Sequence, residues 1–255
     1  MTTPALTSDS TYSLVSVASA GTLSCSQLQT GSAIVSVISL PTATISGSTT
    51  ICSGGTATVT FTGTPNAVVT YTVDSGANQT VTLDATGNAT VTTSALTSDS
   101  VYTLVNVALT GTASCSQAQT GSATITIAPL PTAAISGSTS VCPNSTAVIS
   151  FTGTPNATIT YTVDSGANQT ITLDASGNAT VTTPTLNTNS TYTLVSVTAS
   201  GTLACSQNQT GSATVTVVPL PTAAIAGTTT ICSGSTTTIT FTGTPNATVT
   251  YTVDS

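Results

Sequence analysis

Polar and apolar positions alternate along most of the chain, most clearly in a stretch that occurs three times. Residues 61–75 read FTGTPNAVVTYTVDS, 151–165 read FTGTPNATITYTVDS and 241–255 read FTGTPNATVTYTVDS. In the first copy Val59, Phe61, Val69, Tyr71 and Val73 share one parity, while Thr58, Thr60, Thr62, Thr70 and Thr72 take the other. A period of two is the pattern of a half-buried β-strand. Between the two runs lies Gly63-Thr64-Pro65-Asn66. Proline presets the backbone angle a turn needs and asparagine tolerates the left-handed position after it. The stretch predicts a β-hairpin.

Every landmark recurs at a spacing of 90 residues: Tyr12, Tyr102 and Tyr192; Cys25, Cys115 and Cys205; Cys52, Cys142 and Cys232. The folding unit is therefore a 90-residue repeat. The predicted organisation is the C-terminal part of a repeat at 1–40, complete repeats at 41–130 and 131–220, and the N-terminal part of another at 221–255. Met1 stands where Val91 and Val181 stand in the other copies, so the chain reads as a window of a longer array.

Within 41–130 the alternation and the turn residues predict strands over 42–46, 56–62, 67–74, 79–83, 89–93, 101–108 and 123–128. Seven short strands with turns every 8–12 residues predict an all-β fold, an immunoglobulin or fibronectin-III-like sandwich. The joints are Leu40-Pro41, Pro129-Leu130-Pro131 and Pro219-Leu220-Pro221. Proline restricts the backbone to extended conformations, so a rod of tandem sandwiches is expected.

Composition removes most functions. The chain has no Lys, Arg or His, seven acidic residues and a net charge of −7. With no cation to neutralise phosphates, neither nucleic acid nor an anionic membrane surface is an expected partner. No apolar run is long enough for a membrane helix, so membrane insertion is not expected. Imidazole bases, Schiff-base lysines and arginine clamps are all absent, which leaves no ordinary catalytic apparatus. No cofactor is expected.

Six cysteines, two per repeat, lack the paired spacing of zinc ligands, so disulfides and an extracellular setting are expected. Pairing within a repeat would join Cys52 to Cys115 and Cys142 to Cys205, leaving Cys25 and Cys232 with partners outside the sequence. Such loops of about 63 residues would each stabilise by roughly 4 kcal/mol. Pairing across the joints, Cys25–Cys52, Cys115–Cys142 and Cys205–Cys232, would use all six. The recurring Cys115-Ser116-Gln117 also resembles the Cys–Gln thioester of some adhesin domains, but two cysteines per repeat favour disulfides.

Asp74, Asp84 and Asp99 recur in part, with Asn189 in the place of Asp99. Their positions at turns predict backbone capping rather than calcium binding or acid–base catalysis. Thr70, Thr72, Thr80, Thr82, Thr124 and Thr126 form an uncharged hydroxyl face. That face suits an exposed strand and could also meet polysaccharide, a neighbouring filament or O-linked sugar.

Leu96-Thr-Ser-Asp-Ser-Val-Tyr102 resembles the stretch of fibronectin type III domains that ends in a corner tyrosine, although Ser98 and Asp99 replace its Pro and Gly. The combination PLPTATISG, ICSGG, FTGTPN, YTVDSGANQTVT, YTLV and CSQAQTGSATITI resembles, over the whole sequence, the repeats of SprB-type gliding adhesins. That resemblance implies a secreted cell-surface filament of gliding bacteria whose repeats form the shaft, and it carries over no catalytic residue. The function expected is non-enzymatic adhesion and reach, with neighbouring repeats as partners. A head-to-tail polymer of short subunits joined by strand complementation is the alternative. A carbohydrate-binding module lacks the Trp and Tyr platform such sites use.

Overall fold

The computed structural model describes residues 1–111 and 114–254. Among them there are strands and turns but no helix. They fall into two units, Met1–Ala128 and Pro129–Ser255.

The first unit contains β1 (Ser10–Ser13), β2 (Ser16–Ala18), β3 (Ser26–Leu28), β4 (Ser32–Val35), β5 (Ala43–Ser46), β6 (Thr49–Cys52) and β7 (Thr58–Gly63). It continues with β8 (Val68–Val73), β9 (Gln79–Thr82), β10 (Asn88–Thr92), β11 (Ser100–Ala108), β12 (Ser116–Ala118) and β13 (Ser122–Ala128). One sheet has the order β10-β7-β5; the other runs β6-β13-β11-β8-β9, with β12 paired to the end of β11. Val59 and Phe61 from the smaller sheet share one core with Val69, Tyr71, Leu104, Val107 and Ile125 from the larger. Two sheets closing on one core make an immunoglobulin-like sandwich. Burying each of these side chains stabilises by about 1.5–3 kcal/mol.

The second unit repeats the design in β14 (Ala133–Ser136), β15 (Thr139–Val141), β16 (Val148–Gly153), β17 (Thr158–Val163), β18 (Gln169–Thr172) and β19 (Asn178–Thr182). Next come β20 (Ser190–Thr198), β21 (Ser206–Asn208), β22 (Ser212–Val217), β23 (Ala223–Ala226) and β24 (Thr240–Gly243). Its sheets are β14-β16-β19 and β15-β22-β20-β17-β18. Ile149, Phe151, Ile159, Tyr161, Leu194 and Val215 form its core.

All seven strands predicted in 41–130 are present. Two more were not legible. β6 pairs in parallel with β13, Thr49 opposite Ile125 and Cys52 opposite Ala128. Its partner lies over 70 residues away, so no hairpin turn marks it. The chain reaches it by leaving β5 at Gly47, whose φ is +113° and whose added Cβ would lie 2.5 Å from the Thr58 carbonyl oxygen. Only glycine accepts both conditions. Alternation also breaks in β11, where a bulge places Leu104 opposite Tyr71 and Asn106 opposite Thr70. The extra residue, Val105, lets Leu104 and Val107 both face the core.

Residues 1–40 and 221–254 form only small sheets: β1 with β4, β2 with β3, and β23 with β24. Their apolar side chains, Leu14, Val17, Phe241 and Tyr251 among them, are exposed.

Candidate functional site

The larger sheet gathers all six threonines of the predicted hydroxyl face. Thr70 on β8 lies opposite Thr80 on β9. Thr72 lies opposite Thr103 of β11, which in turn lies opposite Ser122 of β13. Thr82, Thr124 and Thr126 are two or four residues along from these and share their side of the sheet. In the second repeat hydroxyls on this side approach each other, Thr158 and Thr172 at 3.4 Å and Thr191 and Thr214 at 3.2 Å. The smaller sheet carries its own contact, Thr44 to Thr62 at 2.7 Å. The outer faces are thus uncharged and rich in hydroxyls, able to exchange hydrogen bonds with sugars or with one another.

The aspartates serve the backbone. Asp74 follows β8 with φ of 52°, and Ser75 after it has φ of 60°. Gly76 N–H closes this turn onto the Val73 carbonyl at 2.8 Å. Two left-handed positions in a row are costly for residues with a Cβ, and the Asp74 carboxylate is clamped from a distant strand. It accepts the Val101 N–H at 2.7 Å and the Ser100 hydroxyl at 3.0 Å. Asp164 does the same with Thr191 N–H and the Ser190 hydroxyl.

Asp84 caps the turn before β10, accepting from the Thr86 hydroxyl at 2.6 Å, Thr86 N–H at 2.8 Å and Asn88 N–H at 3.0 Å. The Thr86 hydroxyl, followed by the Asn88 and Thr86 amides, holds its carboxyl below the ordinary value. Asp99 accepts the Ile127 N–H at 2.7 Å, and Asn189 accepts the Val217 N–H at 2.8 Å in the next repeat. The Asp-to-Asn change keeps the acceptor, so the charge is not what the position requires. Among the described residues no group of three or more His, Cys, Asp or Glu side chains converges to hold a metal.

The cysteine pairings proposed from sequence are corrected. Cys52 and Cys205 are each disulfide-bonded, whereas Cys25, Cys115, Cys142 and Cys232 are free thiols. Neither Cys52–Cys115 nor Cys142–Cys205 is formed, and each pair across a joint also contains a free thiol. Strand register supplies the reason. Cys52 lies opposite Ala128, beyond the Ser100 end of β11. Cys115 accepts the Leu109 N–H through its carbonyl, past the Ala108 end. The length of β11 separates them, ~30 Å at the usual rise, whereas a disulfide needs about 4.4–6.8 Å between Cα atoms. The Cys–Gln thioester is likewise not open to Cys205, whose sulfur is already bonded.

The four tyrosines of the two complete repeats, Tyr71, Tyr102, Tyr161 and Tyr192, belong to the core. Tyr102 stacks on Tyr71 with ring centroids 6.1 Å apart, and Tyr71 packs on Phe61 at 5.0 Å. Burial pushes both hydroxyls above their ordinary value, with Tyr71 and Asp74 adding to the effect on Tyr102. A cleft of about 380 Å³ opens beside β20, lined by Asp164, Gln169, Leu186, Ser190 and Tyr192 among others. Several of its polar groups are engaged within the fold: Gln169 accepts the Tyr161 hydroxyl, and Asp164 accepts the Ser190 hydroxyl. Neither feature is a catalytic arrangement.

No family model and no curated protein matches the chain. Among solved structures, a marsupial T cell receptor is similar at 13% identity and a TM-score of 0.44, covering 73% of this chain and 77% of its own. A trypsin-activated alpha-2-macroglobulin from Escherichia coli is similar at 11% identity and a TM-score of 0.28, over 75% of this chain and 18% of its own. The fold itself, read from the strand order and the shared core, is an all-β immunoglobulin-like sandwich present twice in tandem.

Proposed function

We propose that the chain is part of the shaft of an extracellular cell-surface adhesin filament of the SprB type, non-enzymatic, acting in surface adhesion and gliding. The observation that carries this reading is the repetition itself. Two sandwiches with matching cores and matching capping aspartates stand one after the other, with hydroxyl-bearing outer faces. Such repetition extends reach rather than building one specialised pocket. That Cys52 and Cys205 are each disulfide-bonded supports an oxidising, extracellular setting. Lack of Lys and Arg denies trypsin-like proteases their cleavage sites, and an evenly acidic surface opposes self-aggregation. Surface polysaccharide is the partner class that the hydroxyl faces would take, with neighbouring repeats as the other contacts.

The test is a denaturing gel of native material with and without reductant. A single very large band that survives reduction, recovered from the surface fraction of intact cells, is the expected result. Collapse to a band near 24.8 kDa on reduction would mean a polymer of short subunits and would overturn the shaft reading.

A further inference from the structure

Polar side chains lining the cleft beside β20 are tied to the fold through one part and left open through another, and we propose that this cleft binds a neutral pyranose unit of a surface polysaccharide. The cleft measures about 380 Å³, lies within the second repeat and falls in the size range of small-molecule sites. Gln169 accepts the Tyr161 hydroxyl through Oε1 at 3.1 Å, which leaves both N–H groups of its amide. Asn189 accepts the Val217 N–H through Oδ1 at 2.8 Å and likewise keeps its N–H donors. Asp164 takes the Thr191 N–H on Oδ1 and the Ser190 hydroxyl on Oδ2, and each carboxylate oxygen can accept again. Bonds to the fold hold these groups before a ligand arrives, so little ordering cost is left to binding.

These groups select the ligand class. Amide donors and a carboxylate acceptor suit a molecule whose hydroxyls both accept and donate hydrogen bonds. Val181, Leu186 and Tyr192 add apolar lining, against which the C–H face of a pyranose ring can leave water. Leu186 and Tyr192 belong to the buried core, so this lining is held firmly. With no Lys, Arg or His in the chain, an acidic or sulfated sugar would meet Asp164 and no cation to offset it. The inference rests on polysaccharide as the partner class and places the contact in a cleft rather than on the hydroxyl faces. It does not depend on the shaft.

The first repeat shows which residue sets the selectivity. Asp74 and Gln79 make there the bonds that Asp164 and Gln169 make in the second. Asp99, however, stands in the place of Asn189 and accepts the Ile127 N–H in the same way. A carboxylate has no N–H to give, and it brings a second negative charge to that lining. The second repeat is therefore the one equipped for a neutral sugar, and the exchange of Asp99 for Asn189 is the difference that equips it.

The test titrates the methyl glycosides of glucose, galactose, mannose and N-acetylglucosamine into the full 255-residue, isotope-labelled chain, with glucosamine as a cationic control. The side-chain amide signals of Gln169 and Asn189 are followed by NMR. At least one neutral glycoside is expected to shift both, with a dissociation constant in the millimolar range. Asn189→Asp and Gln169→Glu each remove N–H donors and keep the oxygen that the fold uses, as Asp99 does in the first repeat. Each should weaken binding roughly tenfold, read on the Ser190 and Thr191 backbone signals, while the rest of the spectrum stays that of the folded parent. No shift with any neutral glycoside overturns the proposal. So do shifts that survive both substitutions, shifts confined to the threonine faces, and binding of glucosamine alone. The denaturing gel tests the shaft without any glycan. A failed titration beside a surviving large band therefore removes the cleft alone, and a positive titration beside a collapsed band removes the shaft alone.

Discussion

The Asp74 carboxylate accepts the buried Ser100 hydroxyl at 3.0 Å across 26 residues of sequence. The same carboxylate takes the Val101 N–H, tying a left-handed turn to the first residues of β11. Asp74→Ala leaves a buried hydroxyl and a backbone donor without their acceptor and is expected to destabilise the first repeat by about 1–3 kcal/mol. Asp74→Asn keeps an acceptor oxygen and should lose less. Urea unfolding followed by tyrosine fluorescence measures both; equal losses would show that the hydrogen bonds are not the cause.

Acid sensitivity follows from Asp84. Its carboxyl is held below the ordinary 3.8, chiefly by the Thr86 hydroxyl. A depressed folded-state value contributes stability above the unfolded-state value, and that contribution is lost as pH falls through the folded one. The melting temperature should decline below about pH 4, less steeply in Asp84→Asn. Alkali acts on Tyr71, Tyr102, Tyr161 and Tyr192, whose hydroxyls burial raises above 10.0. Their contribution is complete below pH 10.0 and lost as pH rises through the folded values. Melting curves across the pH range check both limbs.

One substitution made at equivalent positions should have unequal effects. Phe61 and Phe151 are fully buried, whereas Phe241 is exposed. Phe61→Ala or Phe151→Ala should cost roughly 3–5 kcal/mol in its own repeat, through lost burial and the cavity left behind. Phe241→Ala should leave the unfolding of monomeric chain nearly unchanged. Calorimetry on dilute protein reads the difference, and a large loss at Phe241 would contradict the exposed placement.

Thiol chemistry tests the cysteine assignment. Cys25, Cys115, Cys142 and Cys232 are free and Cys52 and Cys205 are bonded. A maleimide applied to the unfolded, unreduced chain should label four sites, and all six after reduction. Peptide mapping should place the two late labels on Cys52 and Cys205. Early labelling of Cys52 would refute the assignment.

Strand positions, the repeat and the sandwich were determined by sequence alone, because each is written in short-range chemistry. Thr70 and Tyr71 must face opposite sides of any strand, and Pro65-Asn66 must turn. The capping role of Asp84 was legible for the same reason, since its partners Thr86 and Asn88 are within four residues. Long-range pairing decided the rest. β6 could be found only through β13, and the clamp from Asp74 to Ser100 only once β8 and β11 were neighbours. The substitution of Asn189 for Asp99 gained a meaning when both were seen to accept a strand amide. Cysteine partners were the furthest from local reach, because a bond a few ångströms long depends on which pole of the sandwich each residue occupies. Strand direction and register set that, and both are properties of the assembled sheets rather than of any one segment.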